Sequence, residues 1–185
     1  AVRTASKQKA DDINKRLKED RLEAVVNERK EGLKNEIRDR FKQRTETNIQ
    51  SIVALDAKIY VLGEEQKDLE GLLSDHKTLA NSAYYAELHD AGLEPYNTLV
   101  DEIVVLEGKA DQVAAAYQAA YGEFVVLETE KVMIDTEAQD AANLIFEETG
   151  SEKLRSLVTD LVGEYRADAK KAVDTAAFRK QVADD

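Results

Sequence analysis

The chain has 185 residues and contains no cysteine, no tryptophan, one proline and only seven tyrosines and four phenylalanines. The lack of cysteine excludes a disulfide framework, a thiolate metal site and a cysteine nucleophile. Lys, Arg, Asp and Glu make up 35% of the residues and the formal net charge is −12, a balance that disfavours nucleic acid and anionic lipid as partners.

The first element in chain order is a charged N-terminal helical arm, residues 1–44, continuous with the first helix of a bundle. Residues 1–48 carry 14 Lys and Arg against 10 Asp and Glu, a net charge of +4, which leaves −16 for the rest of the chain. An apolar stripe in four-residue steps departs from a strict seven-residue repeat and predicts a straighter or right-handed winding. Its members are Leu33, Ile37, Phe41 and Ile49, with Thr45 between the last two. Because residues 1 to about 38 find no partner within the predicted bundle, we expect the stripe to bind another subunit or another protein.

Two turns divide the remaining chain into three helices, at about 45–91, 95–148 and 151–183. At the first of these turns, Gly92 can adopt the left-handed backbone conformation that ends a helix, and Pro95 is favoured at the start of the next helix. In the second turn, Gly150 can end a helix and Ser151 can cap the following one by accepting a backbone N–H. The first two of these helices are predicted to form a long antiparallel hairpin.

A long apolar seam runs along the middle helix. From Leu99 to Ile145, in alternating steps of four and three residues, thirteen of fourteen positions are apolar. A 3.5-residue repeat kept over this length predicts a left-handed coiled coil. A matching seam runs from Ile52 to Ala83, and the third helix carries a broader apolar stripe. The predicted fold is all-α: an elongated antiparallel coiled-coil helical bundle at residues 45–185, a long helical hairpin plus a third helix, with a protruding N-terminal helix.

Three polar residues, Gln66, His76 and Lys131, interrupt the seams. Polar residues in a coiled-coil core set the register at a cost in stability, and this is the role predicted for all three. If the hairpin tip is near residue 93, Lys131 lies level with Asp56, whose carboxylate its ammonium group can reach. Carboxylates next to His76 and His89 leave a metal site open as an alternative, although neither histidine belongs to a metal-binding motif.

Tyrosines and small residues mark a second candidate contact surface on the middle helix. Tyr117 and Tyr121 lie one turn apart in a run of alanines that allows close helix approach. We predict that this surface packs within the bundle or between subunits. Two valine pairs, at 104–105 and 125–126, widen the apolar face beyond the needs of two helices and predict contact with a third.

The sequence carries no catalytic or cofactor-binding signature: it has no phosphate-binding glycine loop, no dinucleotide fingerprint and no nucleophile elbow. We therefore predict no enzyme activity and no cofactor. The predicted function is structural: a coiled-coil rod, spacer or scaffold subunit of a larger complex, such as a virus or phage particle, that acts by helix-to-helix docking. The alternative is a helical adaptor or chaperone-like module that clasps a partner protein, and an enzyme is the third hypothesis.

The expected partners are proteins, either further copies of the chain in a homo-oligomer or components of a larger assembly. The basic residues of the arm suggest nucleic-acid binding, but ten acidic residues lie among them. Phe41 is the only aromatic residue of the arm, so the arm lacks a platform on which bases could stack. The longest apolar run, residues 113–117, is five residues long, whereas a membrane-spanning helix needs about 20. The N-terminus lacks the apolar stretch of a signal peptide. We expect a cytoplasmic protein, or part of a particle assembled in the cytoplasm.

Overall fold

The computed structural model describes the backbone of residues 2–184 and the side chains of residues 2–174, and it is all-α over this range. A five-residue π-helical segment interrupts the first long helix without breaking it, because the backbone on both sides keeps right-handed helical angles. The elements in order are α1 (Val2–Ile37), the π segment (Arg38–Lys42), α2 (Gln43–Ala80), α3 (Ala83–Asp90), α4 (Glu94–Thr149) and α5 (Glu152–Asp184).

Both predicted turns are confirmed. Gly92 and Gly150 have positive φ angles of 67° and 65°, which side chains with a Cβ adopt at a cost. Ser151 caps α5, since its Oγ accepts a hydrogen bond from the backbone N–H of Leu154 at 3.3 Å. A further break, at Asn81–Ser82, separates α2 from α3. It was not predicted because neither glycine nor proline marks it.

Of the described residues, 2–51 and 128–184 form one compact unit. Its hydrophobic core joins side chains of α1, the π segment, α4 and α5, namely Leu33, Ile37, Phe41, Ile134, Ala138, Ala141, Ala142, Ile145, Leu154, Val158 and Val162. The four residues of the predicted interaction stripe are at most 6% exposed. They are therefore buried within the chain. This corrects the expectation of no intrachain partner for the part of α1 from Val26 onward, whereas residues 2–18 are exposed as expected.

The correction has a geometric reason. Helix α5 begins at Glu152 and packs along α1, so it supplies the partner that the predicted bundle lacked. Ion pairs fix where α1 and α2 meet α4: Arg44 binds Glu137 at 2.7 Å, and Arg29 lies 3.7 Å from Glu148. A hairpin tip at residue 93 would instead place residue 142 level with Arg44. The same rule would place residue 157 level with Arg29. The two pairs therefore lie five and nine residues before the predicted levels, or about one and a half to two and a half turns.

The π segment explains the four-residue spacing of the stripe. In an α-helix of 3.6 residues per turn, each step of four overshoots one turn by about 40°, so the four steps from Leu33 to Ile49 would drift by about 160° around the helix. A π turn holds one extra residue, which removes about 100° of this drift. Phe41, inside the π segment, is fully buried in the core as a result. The sequence pattern thus produces a local π turn, where a gradual change of winding was predicted.

Residues 52–127 form the second compact unit. It consists of the rest of α2, the short helix α3, the turn at Ala91–Leu93 and the first part of α4. The buried side chains in this unit are those of Ile52, Leu55, Leu69, Leu99 and Ala120, all at predicted seam positions. Among the described residues, the long helices α1, α4 and α5 share the core of the first unit, and the second unit contains parts of α2 and α4 with the short helix α3. The three-helix bundle across residues 45–185 stays a prediction.

Candidate helix-docking surface

Helix α4 has one side that faces its neighbours and one side that faces solvent. None of the fourteen seam positions from Leu99 to Ile145 is exposed. If these residues take positions a and d of a seven-residue repeat, positions b, c and f lie on the opposite side of the helix. On an ordinary exposed helix, that opposite side is rich in charged residues.

Between residues 104 and 126 the opposite side of α4 carries almost no charge, whereas Glu94 and Asp101 lie on the same side before this stretch. Its positions from 104 to 126, which we name the outer strip, are Val104, Val105, Gly108, Asp111, Gln112, Ala115, Gln118, Ala119, Gly122, Val125 and Val126. All eleven are exposed, and Asp111 is the only charged residue among them. The four valines are exposed by 49% to 67%. Within the described chain no third helix covers these valines, so the predicted contact with a third helix is not made there.

The corresponding side of α2 has a different composition. Across twelve positions from 53 to 78 it carries four charged residues, Glu64, Lys67, Asp68 and Asp75. The two helices share the same unit and the same repeat, so solvent exposure alone does not account for the uncharged strip on α4. A signal for the strip was already present in the sequence, as the absence of charge at positions opposite the seam.

Acidic residues flank the outer strip. Glu102, Glu107 and Glu123 occupy the positions between the strip and the seam, where Lys109 is the only basic residue. Two of these carboxylates bind α2: Glu107 pairs with Lys77 at 2.9 Å, and an oxygen of Glu102 lies 3.4 Å from Nε2 of His76. Over residues 52–127 the sequence has 14 acidic and 4 basic residues, a net charge of −10. The surface is thus an uncharged strip within an acidic unit.

The predicted contact tyrosines lie on two different sides of α4. Tyr117 is half-buried in the seam, where its ring lies close to Gly63 of α2: a Cβ on that glycine would be 3.7 Å from the ring. Tyr121 lies at the edge of the outer strip and is half exposed. Tyr117 therefore packs inside the hairpin, whereas Tyr121 remains open to a partner.

The three predicted polar seam residues are all half-buried. Nδ1 of His76 lies 2.8 Å from the carbonyl oxygen of Leu72, and it donates a hydrogen bond to this oxygen in the tautomer that carries the hydrogen on Nδ1. Beside it lies a shallow groove lined by Leu72, Thr98, Asp101, Glu102, Val105 and Leu106. The register-setting role of these three residues stays a prediction.

Charged contacts between helices are best defined in the first unit. The guanidinium of Arg44 donates two hydrogen bonds to the Glu137 carboxylate, at 2.7 and 3.2 Å. These bonds hold the pKa of Glu137 below its usual value. Burial raises the pKa of Tyr165, which packs against the core. These contacts join helices and support the fold.

The described residues also bear on metal binding and on membrane crossing. Among them no three His, Asp or Glu side chains lie close enough together to hold a metal ion. None of the helices, over the part that the structure describes, is long and apolar enough to cross a membrane.

Comparisons of the chain with protein-family models, with curated proteins and with solved structures found no match in any of the three.

Proposed function

We propose that the protein is a non-enzymatic assembly subunit in the cytoplasm, which associates with further copies of itself by docking a helix against the outer strip of α4. The observation that carries this proposal is the row of exposed valines in the outer strip, where one of eleven exposed residues is charged. In a chain that is 35% charged, such a face is favourable mainly when another apolar surface covers it. A rod, spacer or scaffold subunit of a larger complex would use it in this way.

The strip has the dimensions of a helix-binding site. Residues 104–126 rise about 33 Å along α4, at 1.5 Å per residue. Gly108, Ala115 and Gly122 follow each other at seven-residue intervals between the valines, so a second helix can approach the backbone closely. Full burial of a valine side chain contributes about 1.5 kcal/mol or more, so covering the exposed half contributes about 1 kcal/mol per valine.

The proposal is tested by sedimentation velocity on the full chain and two double variants. Val105→Glu with Val126→Glu removes about 2 kcal/mol of apolar burial and places two charges in the interface, so we expect the dissociation constant to rise about 30-fold or more. Gln112→Glu with Gln118→Glu is the matched control, because it adds the same charge on the same face without removing apolar surface. Circular dichroism should show unchanged helix content in both variants, since glutamate has at least the helix propensity of valine and glutamine.

Self-association that is weakened by the valine variant and kept by the glutamine variant supports the proposal. Equal weakening by both would show that charge alone acts, and would contradict docking on the valines. Association that neither variant changes would place the interface elsewhere on the chain.

A further inference from the structure

Helix α1 begins with a segment that no other part of the described chain covers. Every residue from 2 to 18 is exposed, and the packing of α1 against the core begins only at Val26. Four residues of this leading segment, the last three of them apolar, fall in steps of four, three and four: Ser6, Ala10, Ile13 and Leu17. This spacing places them on one side of the helix, and the two largest, Ile13 and Leu17, are more than half exposed. An isolated helix as long as residues 2–18 is marginal in water, so a partner for the apolar side of this segment would stabilise it.

The leading segment is basic, and its charges are sorted by side. Residues 2–18 contain six Lys and Arg and two Asp, a net charge of +4. The positions next to the apolar side include Lys7, Lys9 and Arg16, whereas Asp11 and Asp12 lie on the opposite side. The segment thus presents a narrow apolar line between basic side chains.

The outer strip has the complementary arrangement. Its uncharged centre is bordered by Glu102, Glu107 and Glu123, in a unit of net charge −10. Two outer strips packed against each other would bring two such units together and repel. An apolar helix with basic borders would instead place opposite charges beside each other along both edges.

We propose that the leading segment of one copy, residues 2–18, docks along the outer strip of a second copy. This inference rests on the proposed function and names the helix that occupies the strip. The lengths agree, because 17 residues of helix cover about 25 Å of a strip about 33 Å long. Two copies that exchange their leading segments reciprocally would form a closed dimer, whereas a one-way exchange would build an open chain of subunits.

Charge reversal on the full chain tests the pairing. Lys9→Glu with Arg16→Glu places acidic residues next to the acidic borders of the strip, so we expect the dissociation constant to rise tenfold or more. The matched control is Lys15→Glu with Lys18→Glu, which makes the same change of charge on the same exposed segment, on the side away from the apolar line. We expect this control to change the constant by less than threefold.

A rescue separates docking from a general effect of charge. The rescue variant combines Lys9→Glu and Arg16→Glu with Asp111→Lys in the strip and Glu123→Lys on its border. These four changes restore opposite charges across the interface and should recover most of the lost affinity. If association persists in the variant with Lys9→Glu and Arg16→Glu alone yet is lost in Val105→Glu with Val126→Glu, this inference is wrong while the proposed function stands. Equal loss in the control and in the test variant, or no rescue, would also overturn the inference.

Introduced cysteines test the contact directly, because the chain has none of its own. One preparation carries Ala10→Cys on the leading segment, and a second, tagged preparation carries Ala115→Cys in the centre of the strip. Mild oxidation of the mixture should give a disulfide-linked dimer of the two different chains. Lys15→Cys replaces Ala10→Cys in the control and should cross-link weakly. Equal cross-linking from residues 10 and 15 would contradict the proposed orientation.

Discussion

Replacing Leu33 by alanine tests whether the apolar stripe of the N-terminal arm belongs to the core of its own chain. Leu33 is 1% exposed and packs within the core of the first unit. The change removes about three methylene equivalents, or about 2.4 kcal/mol of transfer free energy, and the remaining cavity raises the loss to about 3 kcal/mol. For a chain of this size we expect the melting temperature to fall by about 6 to 12 °C.

Leu144→Ala is the matched control, because it makes the same chemical change in the same unit at a residue that is 63% exposed and lies outside the proposed docking surfaces. We expect it to lower the free energy of unfolding by less than about 1 kcal/mol. Urea unfolding followed by circular dichroism, at two widely separated protein concentrations, measures both variants. The burial of Leu33 within one chain predicts a loss that does not depend on concentration. A loss for Leu33→Ala that is no larger than the loss for Leu144→Ala would refute the burial of Leu33 in the core.

Three further predictions concern the stability of the fold. Among the described residues the buried hydroxyl of Thr45 has no hydrogen-bond partner, so Thr45→Val should stabilise the protein by about 1 kcal/mol. Thr149→Val should destabilise it by a similar amount, because that hydroxyl donates to a backbone carbonyl at 2.7 Å, and urea unfolding distinguishes the two. Glu137 has a lowered pKa in the folded state, so its ion pair stabilises the protein above the pKa of the unfolded chain and is lost as the pH falls through the folded value. Both partners are more than a third exposed, so Glu137→Gln should cost less than about 1 kcal/mol at neutral pH, and this cost should vanish in acid. Gly71→Ala, in open space within α2, should raise the free energy of unfolding by about 1 kcal/mol, and Gly150→Ala, at a positive φ, should lower it by about 1 kcal/mol. Thermal unfolding should show the two changes as a higher and a lower melting temperature.

The helices and their turns could be predicted from the sequence because local chemistry determines them. Gly92 and Gly150 end helices by adopting a backbone conformation that other residues avoid, and Ser151 supplies the cap. The seam from Leu99 to Ile145 likewise follows from a repeat that is visible in the residues themselves. The break at Asn81–Ser82 lacks such a local signal, and it was missed.

The pairing of the helices depends on distances along the whole chain, and these could not be predicted. The turn lies at the predicted residues, but the prediction assumed straight helices, whereas the chain has a π segment at Arg38–Lys42 and a break at Asn81–Ser82. Arg44 pairs with Glu137, five residues before its predicted level. The same difference left Leu33 and Phe41 without a partner in the prediction, although α5 and α4 bury them. The valine pairs of α4 were recognised as an excess of apolar surface, but their covering was assigned to a third helix, and within the described chain no third helix covers them.

The molar mass of the unaltered chain in solution tests the central claim most directly. Sedimentation equilibrium over a wide range of protein concentrations, at low and at high salt, measures it. The account predicts a mass that rises above the 20.7 kDa of one chain as the concentration increases, with weaker association at high salt because basic and acidic borders meet in the interface. A mass of one chain at every concentration and both salt levels would contradict self-assembly through the outer strip.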